Sequence, residues 1–569
     1  MMRTPFDIAY FSLEIGLEGD IPTYSGGLGI LAGDTIKAAA DLELPMVGVT
    51  LLYREGYFRQ ELDANGTQTE HPAEWNPESM FTLMSPRVSV PVEGRQVQIR
   101  AFRQNVVGVT GHVVPVYYLD TDLPENDPDA RKIAARLYAG DTDHRLRQEA
   151  ILGIGGRRMI RAIGHDVGCF HMNEGHACFL TVDLLSEYLC RTQTQEIHSD
   201  ALADVRRKCV FTTHTPIPAG HDRFRIDRVR AIIGDHPVFH RPDLYGGGDV
   251  LNTTVLALNL SKFANGVARK HGEVSREMFA GYDISAITNG VHAATWACPQ
   301  MRQLFDEFIP QWRWNNTELR LARRIPADRL WLGHMSAKRD LTNHVAHTTH
   351  GDVQLDPEAF IITFARRATE YKRMKLLLNN PDRLREIVRK NGPIQILYAG
   401  KAHPHDGIGR EIMHQVHQAI ESLRGDVKAV FLPNYSIDLA RKLVAGSDVW
   451  LNTPRPPLEA SGTSGMKAAI NGIPSLSTLD GWWLEGWIEG VTGWRIGTLQ
   501  DDIRSQPAEE MDRRHADDLY HQLEHSVLPT YYKDRASWID MMYSCIEING
   551  SHFTTERMVR EYAQRGYAL

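Results

Sequence analysis

FIITFARRATEYKRMKLLLNNPDRLREIVRKNGPIQILYAG, residues 360–400, sets out one complete structural unit. It opens on a β-rich run, Phe360–Ala365, crosses a basic segment, enters a helical pattern at Asp382–Lys390 and returns to a second β-rich run at Ile394–Ala399. Strand, helix and strand in that order predict a βαβ unit with parallel strands. The alternation continues through a helical pattern at Ile408–Leu423, a β-rich run at Val427–Leu432, a helical pattern at Asp438–Ala445 and a run at Val449–Leu451. A parallel sheet covered on both faces is the expectation.

The first half repeats this grammar less cleanly. The apolar run Ile8–Phe11 precedes the loop Ser25-Gly26-Gly27-Leu28-Gly29, a helical pattern from Ile30 to Leu42, and the run Met46–Leu52. Val210–Thr213 reads as another strand, and Asn252–Lys270 as one long helical stretch. A chain of 569 residues exceeds one core. The expected division is 1–290 and 291–569, with the joint at Asn289-Gly290, giving an α/β protein of two Rossmann-like halves. Thr554–Tyr567 reads as a final helix with Thr554 or Thr555 as N-cap.

Composition excludes several classes. The 63 basic residues are outnumbered by 71 acidic ones, a net −8, which argues against a nucleic-acid surface. No apolar run reaches the roughly 18 residues that a membrane span needs. The residues Met1–Asp7 lack the apolar core of a signal peptide. The six cysteines show no C-x-x-C pair, so free thiols in a reducing cytoplasm are expected. His214 and His221 are seven apart and no H-E-x-x-H occurs, so no metal site is expected among the 25 histidines.

The chemistry concentrates in two segments. Glu459-Ala460-Ser461-Gly462-Thr463-Ser464-Gly465-Met466-Lys467 packs a carboxylate, three hydroxyls, two glycines and a lysine into nine residues. Its glycines admit backbone N–H groups close to an anion, and the following run Met466–Ile470 reads as a helix start whose positive end would face that anion. Lys467, one turn inside, could form a Schiff base if burial lowers its pKa. A turn of this composition is otherwise an ordinary strand-to-helix turn. The second segment, Arg366-Arg367-Ala368-Thr369-Glu370-Tyr371-Lys372-Arg373, follows the strand Phe360–Ala365, where cations point into the cleft of an open α/β sheet. Arginine grips phosphate through two N–H groups and lysine adds a point charge. A solvated basic helix start is the plain alternative.

Residues 459–471, EASGTSGMKAAIN, resemble the cofactor-lysine signature of the α-glucan phosphorylases, the glycogen and maltodextrin phosphorylase family, with Ile470 where leucine or methionine is usual. The basic segment resembles the family's K-R-x-x-E-Y-K-R, with Arg366 in place of the lysine. Gly26-Gly27-Leu28-Gly29 resembles its first glycine loop. Thr288-Asn289-Gly290-Val291 followed by Trp296 resembles its T-N-G-I…W, and Thr213-His214-Thr215 also matches in kind. The resemblance implies a GT-B fold, two Rossmann-like domains facing a central cleft, with the last helix returning to the first. It implies pyridoxal 5′-phosphate on Lys467, with Arg366, Tyr435, Thr463, Ser464 and Trp296 around it. Arg367 and Lys372 would hold the substrate phosphate. Gly26, Gly27, Leu28, His214, Asn289, Glu459, Ser461 and Gly462 would meet the sugar. The implied reaction is retaining phosphorolysis of an α-1,4-glucan or maltodextrin by inorganic phosphate to glucose 1-phosphate, with the cofactor phosphate exchanging a proton with the substrate phosphate. A homo-oligomer is compatible with it.

Three departures stand out. Lys262 replaces a contact histidine ahead of Asn265-Gly266-Val267. Ser436, after Asn434-Tyr435, replaces an arginine of the family's N-Y-R segment, and Arg455 in Pro454-Arg455-Pro456-Pro457 is a candidate for the missing charge. The extension carrying regulatory sites in long members is missing ahead of Gly26, which places the chain with the short prokaryotic branch. Trp482, Trp483 and Trp487 are core anchors or sugar platforms. Two other readings stay open: a sugar-nucleotide-dependent glycosyltransferase of the same fold, and an inactive glucan-binding protein.

Overall fold

The computed structural model describes residues 7–568. Residues 1–6, read above for signal-peptide character, lie outside the described residues. The chain divides into two compact units, the first from 7–58, 72–288 and 558–568, the second from 59–71 and 289–557.

The first unit is built on a ten-stranded sheet. Its parallel part runs, in space, Ser285–Ala286, Phe263–Gly266, Cys209–Thr212, Val167–Asn173, Asp7–Ser12, Met46–Leu51 and Val113–Asp120. Strand order therefore reverses between Asp7–Ser12 and Val167–Asn173, a topological switch point. Antiparallel Arg95–Val107 continues the sheet beyond Val113–Asp120. Alternation along Ile8–Phe11 covers both faces. Ala9 and Phe11 join one buried cluster, Ile8 and Tyr10 another. Met558, Val559, Tyr562 and Tyr567 belong to the second cluster. The Tyr567 hydroxyl lies 2.7 Å from His171 Nδ1, and His171 Nε2 lies 2.8 Å from the Thr212 hydroxyl. Burial drives His171 down to about 3, so the ring is neutral.

The second unit holds a six-stranded parallel sheet, ordered Lys428–Leu432, Ile394–Ala399, Phe360–Ala365, Val449–Asn452, Ser475–Thr478 and Gly493–Ile496. The order is 3-2-1-4-5-6, and the switch lies between Phe360–Ala365 and Val449–Asn452. Helices at Pro381–Asn391, Gly407–Ser422 and Ile437–Gly446 connect the strands, as the periodicity predicts. The N-terminal edge of the switch is clamped by buried Asp448, which accepts from Lys338 Nζ (2.6 Å), His334 Nε2 (2.9 Å) and the Ile361 backbone N–H (2.7 Å).

One reading needs correction. Asn252–Lys270 is not one helix. A helix at Thr253–Asn259 gives way to the strand Phe263–Gly266, because the Lys262 N–H donates to the Cys209 carbonyl and draws the chain into the sheet. The final helix is as read: Thr555–Tyr562, continued by a wider helical turn at Ala563–Tyr567, with Thr554 capping it by accepting from the Arg557 N–H. The six cysteines are unpaired, five of them buried. No helix among the described residues is long and apolar enough to cross a membrane.

Asp448→Ala strands the Lys338 ammonium in the core without its counter-charge. The cost is expected to be about 3–5 kcal/mol, read from the urea transition of the second unit, against much less for the isosteric Lys338→Met with Asp448→Asn.

Candidate active site

Both chemistry-bearing segments leave the carboxyl ends of the two switch-point strands of the second unit. Arg366 follows Phe360–Ala365 directly, and Gly400 lets the neighbouring strand pass close, since a Cβ there would lie 2.1 Å from the Arg366 carbonyl. From the other strand, Val449–Asn452, the chain runs to Glu459. The Glu459 carboxylate joins the two. It accepts from Arg366 Nη2 at 2.6 Å and from Lys372 Nζ at 2.9 Å. Burial pushes the Glu459 carboxyl up, but Arg366 and Lys372 outweigh it and hold it down at about 2. Lys372 is lowered to about 8, by burial first and by Arg366 second, with Glu459 opposing. The shifts of the two partners thus run in the same direction. Lys372 shares its one carboxylate with a second cation, so the cluster is net positive and Lys372 carries the deficit. Arg367 is exposed and has no ion-pair partner among the described residues.

The loop Arg366–Arg373 is held from below. Arg373, in a left-handed conformation at φ 51°, donates to the carbonyls of Thr453 (2.7 Å) and Pro454 (2.9 Å) and to Asp512 (2.9 Å). The Glu459 backbone is held too. Its N–H donates to Asp480 Oδ2 at 2.8 Å, while Gly481 N–H donates to Oδ1 at 2.9 Å. Burial and the Glu459 charge push Asp480 well up, against those N–H groups.

Helix Ser464–Ile470 begins as the sequence predicts. Trp450 Nε1 donates to Ser464 Oγ at 2.9 Å, and a Cβ on Gly465 would lie 2.6 Å from Trp482. Gly462, at φ 76°, packs near Arg366 Nη2 and Glu459. Lys467 is buried with Nζ 4.0 Å from the centroid of Trp296. Asn471 explains the end of the signature. Its amide donates to the Trp296 carbonyl (2.9 Å) and accepts from the Cys298 N–H (2.8 Å), fixing the aromatic wall against the lysine's helix.

Several buried polar atoms end without partners: Arg366 Nη1, Ser461 Oγ, Thr369 Oγ1, Asn452 Oδ1 and Asn289 Oδ1. Orphaned groups of this kind are costly in a folded protein and mark a place for a polar ligand. Unsatisfied guanidinium and hydroxyl donors, a buried lysine and an aromatic face fit a phosphorylated aromatic cofactor.

Comparison with known proteins assigns the family. The carbohydrate phosphorylase profile matches residues 14–140 and 233–489. The chain belongs to the carbohydrate phosphorylase family. It is 40% identical to the maltodextrin phosphorylase of Thermococcus litoralis over 99% of this chain and 70% of that protein. It is 38% identical to the glycogen phosphorylase of Mycobacterium tuberculosis, over 99% and 71%, and 32% identical to that of Aquifex aeolicus, over 99% and 86%.

Other positions of this phosphorylase fall as follows. Tyr435 is half-buried beyond the strand Lys428–Leu432. Ser436 caps the helix Ile437–Gly446 by accepting from the Leu439 N–H at 3.3 Å. Arg455 does not stand in for the missing arginine. Its guanidinium is committed to Asp512 (2.7 Å) and Glu370 (3.0 Å), two carboxylates that already neutralise it. Trp482 and Trp483 are buried core, Trp487 half-buried. In the first unit, Ser25 and Gly26 N–H groups donate to the buried Glu14 carboxylate at 2.6 and 3.3 Å, and Gly27 and Leu28 are already the first residues of the helix Gly27–Asp41, which starts three residues before the pattern read from Ile30. His214 lies beyond the strand Cys209–Thr212. Glu149, His176 and Asp222 bring ligand atoms within 4.8 Å of one another, but Arg145 already donates to both carboxylates. Arg373, Asn471, Asp480, Glu14 and Glu174 escaped the sequence reading. The run Val167–Met172 ended by Asn-Glu-Gly was the available signal for the last.

Should the cluster take inorganic phosphate, a dianion throughout the range above pH 8, its binding should weaken there as Lys372 loses its proton. Glu459→Gln removes the counter-charge that raises Lys372, so the basic limb should move below pH 8 while binding near pH 6.5 tightens. Calorimetric titration of the holoenzyme across pH checks both signs.

Proposed function

We propose that this chain catalyses phosphorolysis of α-1,4-glucans, glycogen or maltodextrin, with inorganic phosphate, releasing glucose 1-phosphate with retained configuration. The observation that carries the reading is the pairing of Arg366 and Lys372 with Glu459 at one switch point, in the same unit as exposed Arg367 and buried Lys467. The C1–O4 bond of the terminal glucosyl unit breaks and a bond from C1 to a phosphate oxygen forms. The departing O4 takes a proton delivered through the substrate phosphate.

In this reading Lys467 holds pyridoxal 5′-phosphate, with Arg366, Tyr435, Thr463, Ser464 and Trp296 as its surroundings. When bound, the cofactor supplies a phosphate group able to hold and return a proton beside the substrate phosphate. Arg367 and Lys372 bind and orient inorganic phosphate, offsetting the repulsion between two close phosphates. Glu459, Ser461 and Gly462 take glucose hydroxyls, joined by Asn289, His214 and the loop Gly26-Gly27-Leu28. Once both phosphates are present, the Glu459 carboxylate is freed from part of its cation load to meet a hydroxyl. The GT-B pairing of two Rossmann-like domains, 1–290 and 291–569, with the last helix returning to the first, is carried by the family resemblance; a homo-oligomer is compatible with it, and a cytoplasmic setting rests on the unpaired cysteines. No observation favours a sugar-nucleotide transferase or an inactive glucan-binding protein.

Borohydride reduction followed by peptide mapping should tag the peptide containing Lys467. A tag elsewhere on cofactor-replete protein sinks the assignment. Arg367→Ala should raise the half-saturating phosphate concentration by about 10–100-fold, the worth of a charge-assisted contact. Maltodextrin half-saturation should hardly change, and an equal loss for both substrates contradicts the role.

A further inference from the structure

Glu174 sits at the switch point of the first unit, directly after Val167–Asn173. Its backbone is at φ 74° and ψ 168°, a region essentially confined to glycine. The side chain is buried and its carboxylate accepts three bonds: from the His214 backbone N–H at 2.7 Å, the Thr215 hydroxyl at 3.0 Å and the Gly175 N–H at 3.2 Å. The Glu174 N–H donates in turn to the Thr212 carbonyl at 2.9 Å. One residue thus ties the loop after one switch-point strand to the loop after its neighbour, Cys209–Thr212.

The consequence for His214 can be followed proton by proton. The Ser12 hydroxyl donates to the Glu14 carbonyl at 2.7 Å, so it accepts from Asn173 Nδ2 at 3.0 Å. That fixes the amide, leaving Asn173 Oδ1 to accept from His214 Nε2 at 2.6 Å. Burial lowers His214 to about 3, so the ring is neutral with its proton on Nε2. Nδ1 is left as an acceptor, aimed by a backbone that Glu174 holds.

We propose that Glu174 is a positioning residue for glucan binding, its strained backbone and ionised carboxylate holding Thr213-His214-Thr215 so that His214 Nδ1 can accept a sugar hydroxyl. This rests on the reading of His214 as a glucosyl contact. The acceptor role needs the carboxylate, because a proton on either oxygen weakens at least one of the three bonds. Burial pushes the carboxyl up to about 7, against its three donors. Of the groups facing it, Asp222 and the three histidines are shifted away from this range, while Glu149 is shifted toward it, so the Glu174→Gln variant is what assigns the limb. Asp222, where Arg145 outweighs burial, is held at about 2. Burial puts His176 at about 3 and His221 and His271 at about 4. Glu149, behind Asp222, is pushed up by burial. Glucan handling is therefore expected to rise with pH through about 7.

The test uses the holoenzyme. Glu174→Gln should lower kcat/KM for a maltodextrin by tenfold or more, leave KM for phosphate unchanged, abolish the acid limb near pH 7, and speed deuterium uptake in the peptide spanning residues 212–216 but not elsewhere. Glu174→Gly relieves the backbone and should melt at a higher temperature than Glu174→Ala, with activity as low as that of the glutamine variant. An unmoved acid limb, unchanged uptake over 212–216, or a glycine variant that melts below the alanine one overturns the proposal. His214→Ala separates the two layers. Wild-type maltodextrin kinetics in that variant would sink the reading of His214, while the uptake result reports on Glu174 alone.

Discussion

The candidate site of the second unit is organised around one part-buried carboxylate. Glu459 reaches from the loop after Val449–Asn452 to Arg366 and Lys372 on the loop after Phe360–Ala365. A parallel sheet leaves these two loops to diverge, because the helices that follow switch-point strands pack on opposite faces. The ion pairs draw them together over the crevice. Two buried cations against one carboxylate are also an unstable arrangement without an anion, since desolvated charge is costly unless compensated. The same contact that closes the site therefore leaves it wanting a phosphate.

Everything else around that contact fixes position. Asp480 takes the Glu459 N–H, Arg373 ties the basic loop to Thr453 and Pro454, and Asn471 holds the Trp296 segment against the lysine's helix. The first unit reaches a comparable solution with different residues. Glu14 and Glu174 are buried carboxylates at its switch point, and both accept backbone N–H groups. There the carboxylates shape the loops and hold the neutral His214 by its backbone N–H.

How much of this the sequence made legible depended on locality. The βαβ pattern of residues 360–451 survives almost residue for residue, because helix and strand periods are read within one segment. Lys467 and the basic loop stood out by composition and spacing, and Trp296 through the family resemblance. What failed was non-local. The stretch 252–270 looked continuously helical because its apolar content persists across a change of period, and only pairing with Cys209–Thr212 makes Phe263–Gly266 a strand. Glu174 was invisible for a related reason. Nothing in its neighbours reveals a positive φ, and its three donors include two residues forty positions away.

Arg455 shows where charge counting by sequence breaks down. A cation between prolines, four residues before Glu459, reads as available, and a family arginine is missing at Ser436. In the fold, Glu370 and Asp512 lie on either side of Arg455, and Arg373 shares Asp512. Moving the Arg455 guanidinium to an anion would strand those carboxylates beside one another, so its charge is already spent on joining the basic loop to the helix Ala508–Gln522. Ser436 in turn is needed as a helix cap, a role that arginine cannot fill. Position 436 thus holds a helix cap where the family resemblance has a cation, and Arg366 Nη1 is among the buried donors of this unit left without a partner.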